Sequence, residues 1–155
     1  MYTKPTPAFI GASYCAMSIG MAAYLTGLWR TLSMGLGEKG FYFIVLMYGL
    51  YAAISVQKTV RDRSENIPVT DLYYGISWLS VILCVSLMFI GLWNASWPLS
   101  EKGFYAMAYL LSLFGAIAVQ KNTRDIAGLH RLAAHRPDTD SPSTDRSLPN
   151  RSKKA

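Results

Sequence analysis

The polar residues that could do chemistry in this chain arrive as two matching sets. Glu38-Lys39-Gly40-Phe41-Tyr42 returns as Glu101-Lys102-Gly103-Phe104-Tyr105, and Gln57-Lys58 with Arg61-Asp62 returns as Gln120-Lys121 with Arg124-Asp125, each at a shift of 63. Gly27-Leu28-Trp29 returns as Gly91-Leu92-Trp93 at a shift of 64, so the second copy is one residue shorter between its Trp and its Glu. If the two copies come together, Gln57 and Arg61 can meet Gln120 and Arg124, and a pair of arginines at a membrane interface can hold a lipid headgroup or another anionic ligand. Glu38-Lys39 and Glu101-Lys102 can meet in the same way at the opposite end. The competing reading is that all eight residues are helix caps, interfacial anchors and ion pairs between the copies. Helix dipoles and interfacial anchoring account for most of them in that plain sense, so it is preferred.

Residues for catalysis are missing from the rest of the chain. Ser13, Ser18, Ser55, Ser77, Ser80, Ser86 and Ser112 are scattered singly, with no neighbouring base to activate them. They are expected to bond back to their own helix or across to a neighbour. Both histidines, His130 and His135, fall in the polar C-terminal stretch. Cys15 and Cys84 do not correspond under the repeat, give no metal spacing or disulfide framework, and read as small packing residues. No phosphate loop or nucleophile elbow is present. The expectation is therefore no catalytic residue, no cofactor, no metal, and not an enzyme.

The elements that must carry the motifs are set by charge placement. The chain has 155 residues, 52% of them hydrophobic and only 15% charged. No charged residue or histidine occurs in 8–29, 40–56, 73–93 or 103–119, runs of 22, 17, 21 and 17 residues. A helix rising about 1.5 Å per residue needs roughly 17–25 such residues to cross the hydrocarbon core. A soluble four-helix bundle is the alternative, but it would need four helices apolar on every face, and a chain this short cannot bury them all. The predicted fold class is all-α and membrane-embedded, with four transmembrane helices forming two parallel tandem helical hairpins. No ionisable residue lies inside the runs, which argues against proton- or ion-coupled transport.

With four spans, both termini and the middle linker share one side. That side carries 12 Lys and Arg residues, against Arg30, Lys39 and Lys102 on the other. Leaving out the long tail, the ratio is still six to three. Both termini are therefore expected in the cytoplasm by the positive-inside rule. The net charge of +6 follows from this topology and does not call for a nucleic-acid partner. The first run is not read as a signal peptide, since its only upstream charge is Lys4 and it has a counterpart later in the chain. The units are a cytoplasmic N-terminus (1–7), a first two-helix repeat (8–62), a cytoplasmic linker (63–72), a second repeat (73–125) and a polar tail (126–155) expected to be disordered.

Within each repeat the motifs sit at the ends of the returning helix. Ser100 can cap it, and Lys102 can extend toward water. Trp29, Phe41 and Tyr42, and Trp93, Trp97, Phe104 and Tyr105, form aromatic belts. Lys58 and Asp62, like Lys121 and Asp125, are four apart and can pair on one face. Small residues recur in steps of four: Ala108, Ser112, Ala116, Gln120; Val45, Gly49, Ala53, Gln57; and Ala12, Ala16, Gly20. Such rows let helix backbones approach closely in lipid, within one chain or in a homo-oligomer.

These motifs in this order, with Asn94-Ala95, Leu99-Ser100 and Ala118-Val119 added in the second copy, resemble the YiaA/YiaB family of bacterial inner-membrane proteins. The resemblance runs from Ala8 to Asp125 and implies a bacterial inner-membrane location and two copies of a two-helix domain. It supplies neither an activity nor site residues. Arg30-Thr31 stands where the second copy has Asn94-Ala95, so a site built on Asn94 would occur once. The expected function is a non-catalytic structural or interaction component of the inner (plasma) membrane. Its expected partners are membrane lipid and further copies of itself, with no protein partner indicated. The alternative is a small oligomeric channel or facilitator lined by Ser, Tyr and Thr.

Overall fold

Each helix begins and ends where local chemistry allows. Thr6 caps the first, its Oγ1 accepting from the Phe9 N–H at 3.3 Å with Pro7 in the first turn, and Thr70 caps the third by accepting from the Tyr73 N–H at 3.4 Å. These caps are themselves 64 residues apart, so the duplication includes them. A computed structural model describes residues 5–134, which form α1 (Pro7–Arg30), α2 (Leu36–Ser64), α3 (Asp71–Asn94) and α4 (Leu99–Ala134). The expected disorder of residues 135–155 lies outside the described residues. All four helices are long and apolar enough to cross a membrane.

Asn66 closes α2 in the left-handed region, at φ 56°, letting the Ile67 N–H return to the Asp62 carbonyl at 2.9 Å. Arg63 then holds the short linker to α3, reaching Asp71 at 3.4 Å and lying 4.8 Å from the Tyr74 ring centre.

Packing departs from two side-by-side hairpins. The most extensive interfaces are α1 with α4 and α2 with α3, while α2 and α4 meet along the centre. α1 touches α2 only lightly, and so does α3 with α4. Each outgoing helix thus leans on the returning helix of the other copy, and the repeats interlock. Both loops lie at one end of the molecule: Thr31 of the first loop bonds Tyr105 at the start of α4, and the ring of Trp97 in the second packs at a tilt against Tyr42 near the start of α2. The ends of α2 and α4 join at the opposite end through ion pairs. These are called the loop end and the terminal end below.

Side-chain size explains the exchange of partners. A Cβ on Gly27 would lie 2.9 Å from Phe104 Cε1, and one on Gly91 would lie 2.8 Å from Phe41 Cε1. Gly27 and Gly91 correspond, as do Phe104 and Phe41, so the same glycine-against-aromatic contact is built twice across the copies. Further along α1, a Cβ on Gly20 would fall 2.7 Å from the Ser112 backbone N, and one on Gly115 would fall inside the backbone of Met17. Without a hydrophobic driving force in lipid, such close approach is what binds helices. The rows on α2 and α4 are buried at Val45, Gly49, Ala53, Ala108, Ser112 and Ala116. The expected α1 row holds at Gly20, which is buried, and in part at Ala16, which is half-buried, but not at Ala12, which is exposed beside the buried Ser13; Tyr24 and Leu28 continue the buried face.

The outside of the molecule is apolar. Ile19, Ile44, Ile82, Phe89 and Phe114 are all more than half exposed, a surface suited to acyl chains and not to water. α4 also continues past Asp125, correcting the expectation that residues 126–155 are uniformly disordered: residues 126–134 are helical. That stretch is rich in Ala and Leu, and the first proline lies beyond it at Pro137, so nothing breaks the helix there. At 36 residues, α4 is about 54 Å long at ~1.5 Å per residue and must project well past a hydrocarbon core of about 30 Å.

Candidate functional site

At the terminal end the repeated charges meet. Arg61 Nη2 lies 2.8 Å from Asp125 Oδ1, and Arg124 pairs with Asp62, the same contact with the copies exchanged. Glu65 joins both halves, accepting from Arg61 Nε at 2.8 Å and lying 3.7 Å from Arg124 Nη2. The expected pairing of each aspartate with the lysine four residues before it is not what forms. Lys58 and Lys121 stay exposed, and the aspartates turn to the arginines of the other copy. A guanidinium reaching across the helix seam offers a planar fork in a half-buried setting, where a charge-assisted hydrogen bond counts for more. The cluster of two arginines, two aspartates and a glutamate has formal charge −1. Its arginines already face carboxylates, so this end is an ion-pair clasp and a poor receptor for an anion.

Gln57 and Gln120, one turn before the arginines, are half-buried. The Gln57 side-chain oxygen has no hydrogen-bond partner among the described residues. Asn122, fully buried, donates through Nδ2 to Ser13 Oγ at 3.0 Å. Ser77, which corresponds to Ser13, meets Ser55 at 3.2 Å, and Ser55 meets Tyr73 at 3.1 Å. Each outgoing helix is therefore tied by one serine to the returning helix of the other copy. Ser13 and Ser77 stand 64 apart, a signal readable in the sequence once the serines are aligned under the repeat.

At the loop end the Glu-Lys motifs do not converge on one another. Lys39 Nζ donates to the Trp29 carbonyl at 3.3 Å, and Lys102 Nζ reaches the Trp93 carbonyl at 3.5 Å. These lysines satisfy carbonyls left open at the ends of α1 and α3. Glu38 accepts from the Gly35 N–H at 3.1 Å, closing the first turn of α2. Glu101 opens into a cleft. That cleft, about 410 Å³, is lined by Gly27, Arg30 and Thr31 of the first copy and by Glu101, Phe104 and Tyr105 of the second. A second cleft of about 280 Å³ uses the corresponding residues with the copies exchanged: Gly91, Asn94 and Ala95 with Glu38, Phe41 and Tyr42. Each repeat thus supplies half of each cleft, so neither repeat could make one alone.

Between the ends, the centre is filled. Tyr42 and Tyr105, equivalent residues, stack 6.2 Å apart, and Trp97 lies 5.2 Å from both rings. Tyr24 is fully buried beneath them, donating to the Tyr42 carbonyl at 3.0 Å and meeting Tyr105 edge-on at 5.5 Å. Below these, Leu46, Tyr109, Ser112 and Leu113 close the seam, with the Ser112 hydroxyl bonded back to the Ala108 carbonyl at 2.7 Å. Trp97 and the two tyrosines read from sequence as interfacial belt residues. Trp29 and Trp93, 85% and 75% exposed, do sit in such a belt, whereas Tyr42 and Tyr105 form the packed lid of the core.

Comparison with known proteins agrees with this doubled construction. The profile of the yiaA/B two helix domain matches the chain twice, over residues 9–62 and 73–125. Inner membrane protein YiaA of Escherichia coli (strain K12) is 54% identical over 125 residues, 81% of this chain and 85% of that protein. Inner membrane protein YiaB of the same organism is 31% identical over 100 residues, covering 63% of this chain and 81% of that one. A protein named as the uncharacterized membrane protein YubF of Bacillus subtilis (strain 168) is 32% identical over 63 residues, 41% of this chain and 72% of that protein. No solved structure matches the chain. With two domain matches, four apolar helices of spanning length and these relatives, the chain belongs to the yiaA/B two-helix domain family and is a multi-pass inner-membrane protein.

Proposed function

We propose that this protein is a non-catalytic structural or interaction component of the inner membrane, with both termini in the cytoplasm. One observation carries the reading: most of the repeated polar residues serve the fold itself. Arg61, Arg124 and their aspartates clasp the two copies, Lys39 and Lys102 tie off helix ends, and Glu38 caps α2. The seam between Glu101 and Gln120 is packed with Tyr105, Ala108, Ser112 and Ala116, all buried, which favours a dry structural core over a water-filled path.

Reconstitution of the full chain into vesicles tests this. Potassium, proton and small-solute fluxes should match those of protein-free vesicles. Flux that scales with protein content would overturn the reading in favour of an oligomeric channel.

Orientation is checked separately. In a chain whose own two cysteines are replaced by serine, Ser33→Cys at the loop end should react in intact cells with a membrane-impermeant maleimide. Ser64→Cys at the terminal end should react only after permeabilisation. Both positions are exposed, so access should depend on the side of the membrane. The reverse labelling pattern would place the termini outside.

A further inference from the structure

The two loop-end clefts correspond under the repeat but have diverged, and only one has the makings of a ligand site. In the α1/α4 cleft, Arg30 and Glu101 line the mouth from facing helices, with Thr31 and Ser33 beside them. No ion pair within 4.0 Å involves Arg30 or Glu101 among the described residues. In the α2/α3 cleft the corresponding groups are used up: Asn94 Nδ2 bonds the Ile90 carbonyl at 2.9 Å, and Glu38 is the α2 cap.

What lies beneath the mouth also differs. An apolar groove of about 260 Å³ runs on from the α1/α4 cleft, sharing Phe104 as a wall, with Gly20, Ala23 and Ala108 as its floor and Met107 and Leu111 along its side. On the α2/α3 face the three floor positions hold the larger side chains Cys84, Leu87 and Val45, the first and last buried and Leu87 packed against the core. From Arg30 down to Gly20 is ten residues of α1, or about 15 Å at ~1.5 Å per residue. That is half of a hydrocarbon core roughly 30 Å thick. A charged mouth at headgroup level thus opens onto a groove one leaflet deep.

We propose that the α1/α4 face holds one ethanolamine phospholipid, its phosphate on Arg30, its ammonium on Glu101, and one acyl chain in the Gly20–Ala23–Ala108 groove. Charge complementarity selects the class. Arg30 and Glu101 sum to zero, so a zwitterionic headgroup leaves neither unpaired, whereas an anionic headgroup would face Glu101. A primary ammonium donates hydrogen bonds to a carboxylate; the quaternary ammonium of choline cannot. The site needs a bilayer but is independent of the non-catalytic reading and of which way the termini face.

The test uses the full chain in vesicles containing equal phosphatidylethanolamine, phosphatidylcholine and phosphatidylglycerol. The protein is extracted in mild detergent, and retained lipid is counted by native mass spectrometry. Close to one phosphatidylethanolamine per chain is expected, at about fivefold or more over either other lipid, the scale of one good charge-assisted contact. Arg30→Asn, which installs the residue of the other cleft at an exposed position, should lower retention about fivefold, and Ala23→Leu, which copies Leu87, should do the same. Asn94→Ala on the other face should change nothing. Equal retention of the three lipids, a preference for phosphatidylglycerol, or undiminished retention by Arg30→Asn would each overturn the proposal.

Discussion

Gly115→Leu is expected to remove most of the protein from the membrane. At Gly115 the obstacle to any side chain is the backbone of Met17 on α1, which cannot move aside without separating α1 from α4. Overpacking ordinarily costs about 1–3 kcal/mol when side chains can adjust, and a clash with backbone belongs at or beyond the top of that range. A loss of that size lowers steady-state abundance several-fold. Gly103→Leu is the control, since nothing lies within 4 Å of a Cβ there and the side chain would point outward. Quantitative immunoblotting of membrane fractions reads both. Equal abundance of the two variants would mean that the α1–α4 seam is not what holds the copies together. Gly49→Leu should be milder, because its neighbour is the end of the Tyr109 side chain and not a backbone.

The second large effect is expected at the clasp. Arg124→Ala leaves the Asp62 carboxylate, buried against α4, without its partner. An orphaned, half-buried charged group costs about 1–3 kcal/mol. Asp62→Ala with Arg124→Ala should recover part of that loss, because no charge is then left unpaired. Cys84 provides the readout: it is fully buried, so with Cys15 replaced by serine, a thiol-reactive dye reports unfolding of the bundle on heating in detergent. Arg124→Ala should unfold several degrees below the parent, and the double variant between the two. If the double variant is less stable than the single, the two residues act separately and the clasp is only a surface ion pair.

Much of this molecule is legible without coordinates because lipid imposes simple rules. Charge-free runs of 17 to 22 residues can only be helices when no water is present to satisfy the backbone, and their number gives the span count. The repeat phase of 63 and 64 residues was legible for the same reason that duplicated capping and anchoring residues stay recognisable: each does a local job at a helix end. Thr6 and Thr70, Lys39 and Lys102, Gly27 and Gly91 all recur in this way.

Partner choice was not legible. Chain connectivity suggests that α1 packs on α2, since short links usually join neighbours. Here the deciding terms are contacts between residues far apart in sequence. Gly27 leaves room for the Phe104–Tyr105 face, the Ser13 hydroxyl accepts from Asn122, and Arg61 donates to Asp125. Periodicity along one helix shows which face is small or polar, as at Gly20, although at the start of α1 the buried position is Ser13 and not Ala12. It carries no information about which distant face is complementary.

The same distinction governs function. Residue order alone established a duplicated four-span membrane protein with no ionisable side chain in its spans, because hydropathy, helix rise and desolvation cost act locally. Only the tertiary structure decided that the copies interlock, that the arginines are neutralised by carboxylates of the opposite copy, and that two equivalent clefts differ at Arg30 and Ala23. Those outcomes depend on distances between helices, set by packing volume and charge pairing across the whole bundle.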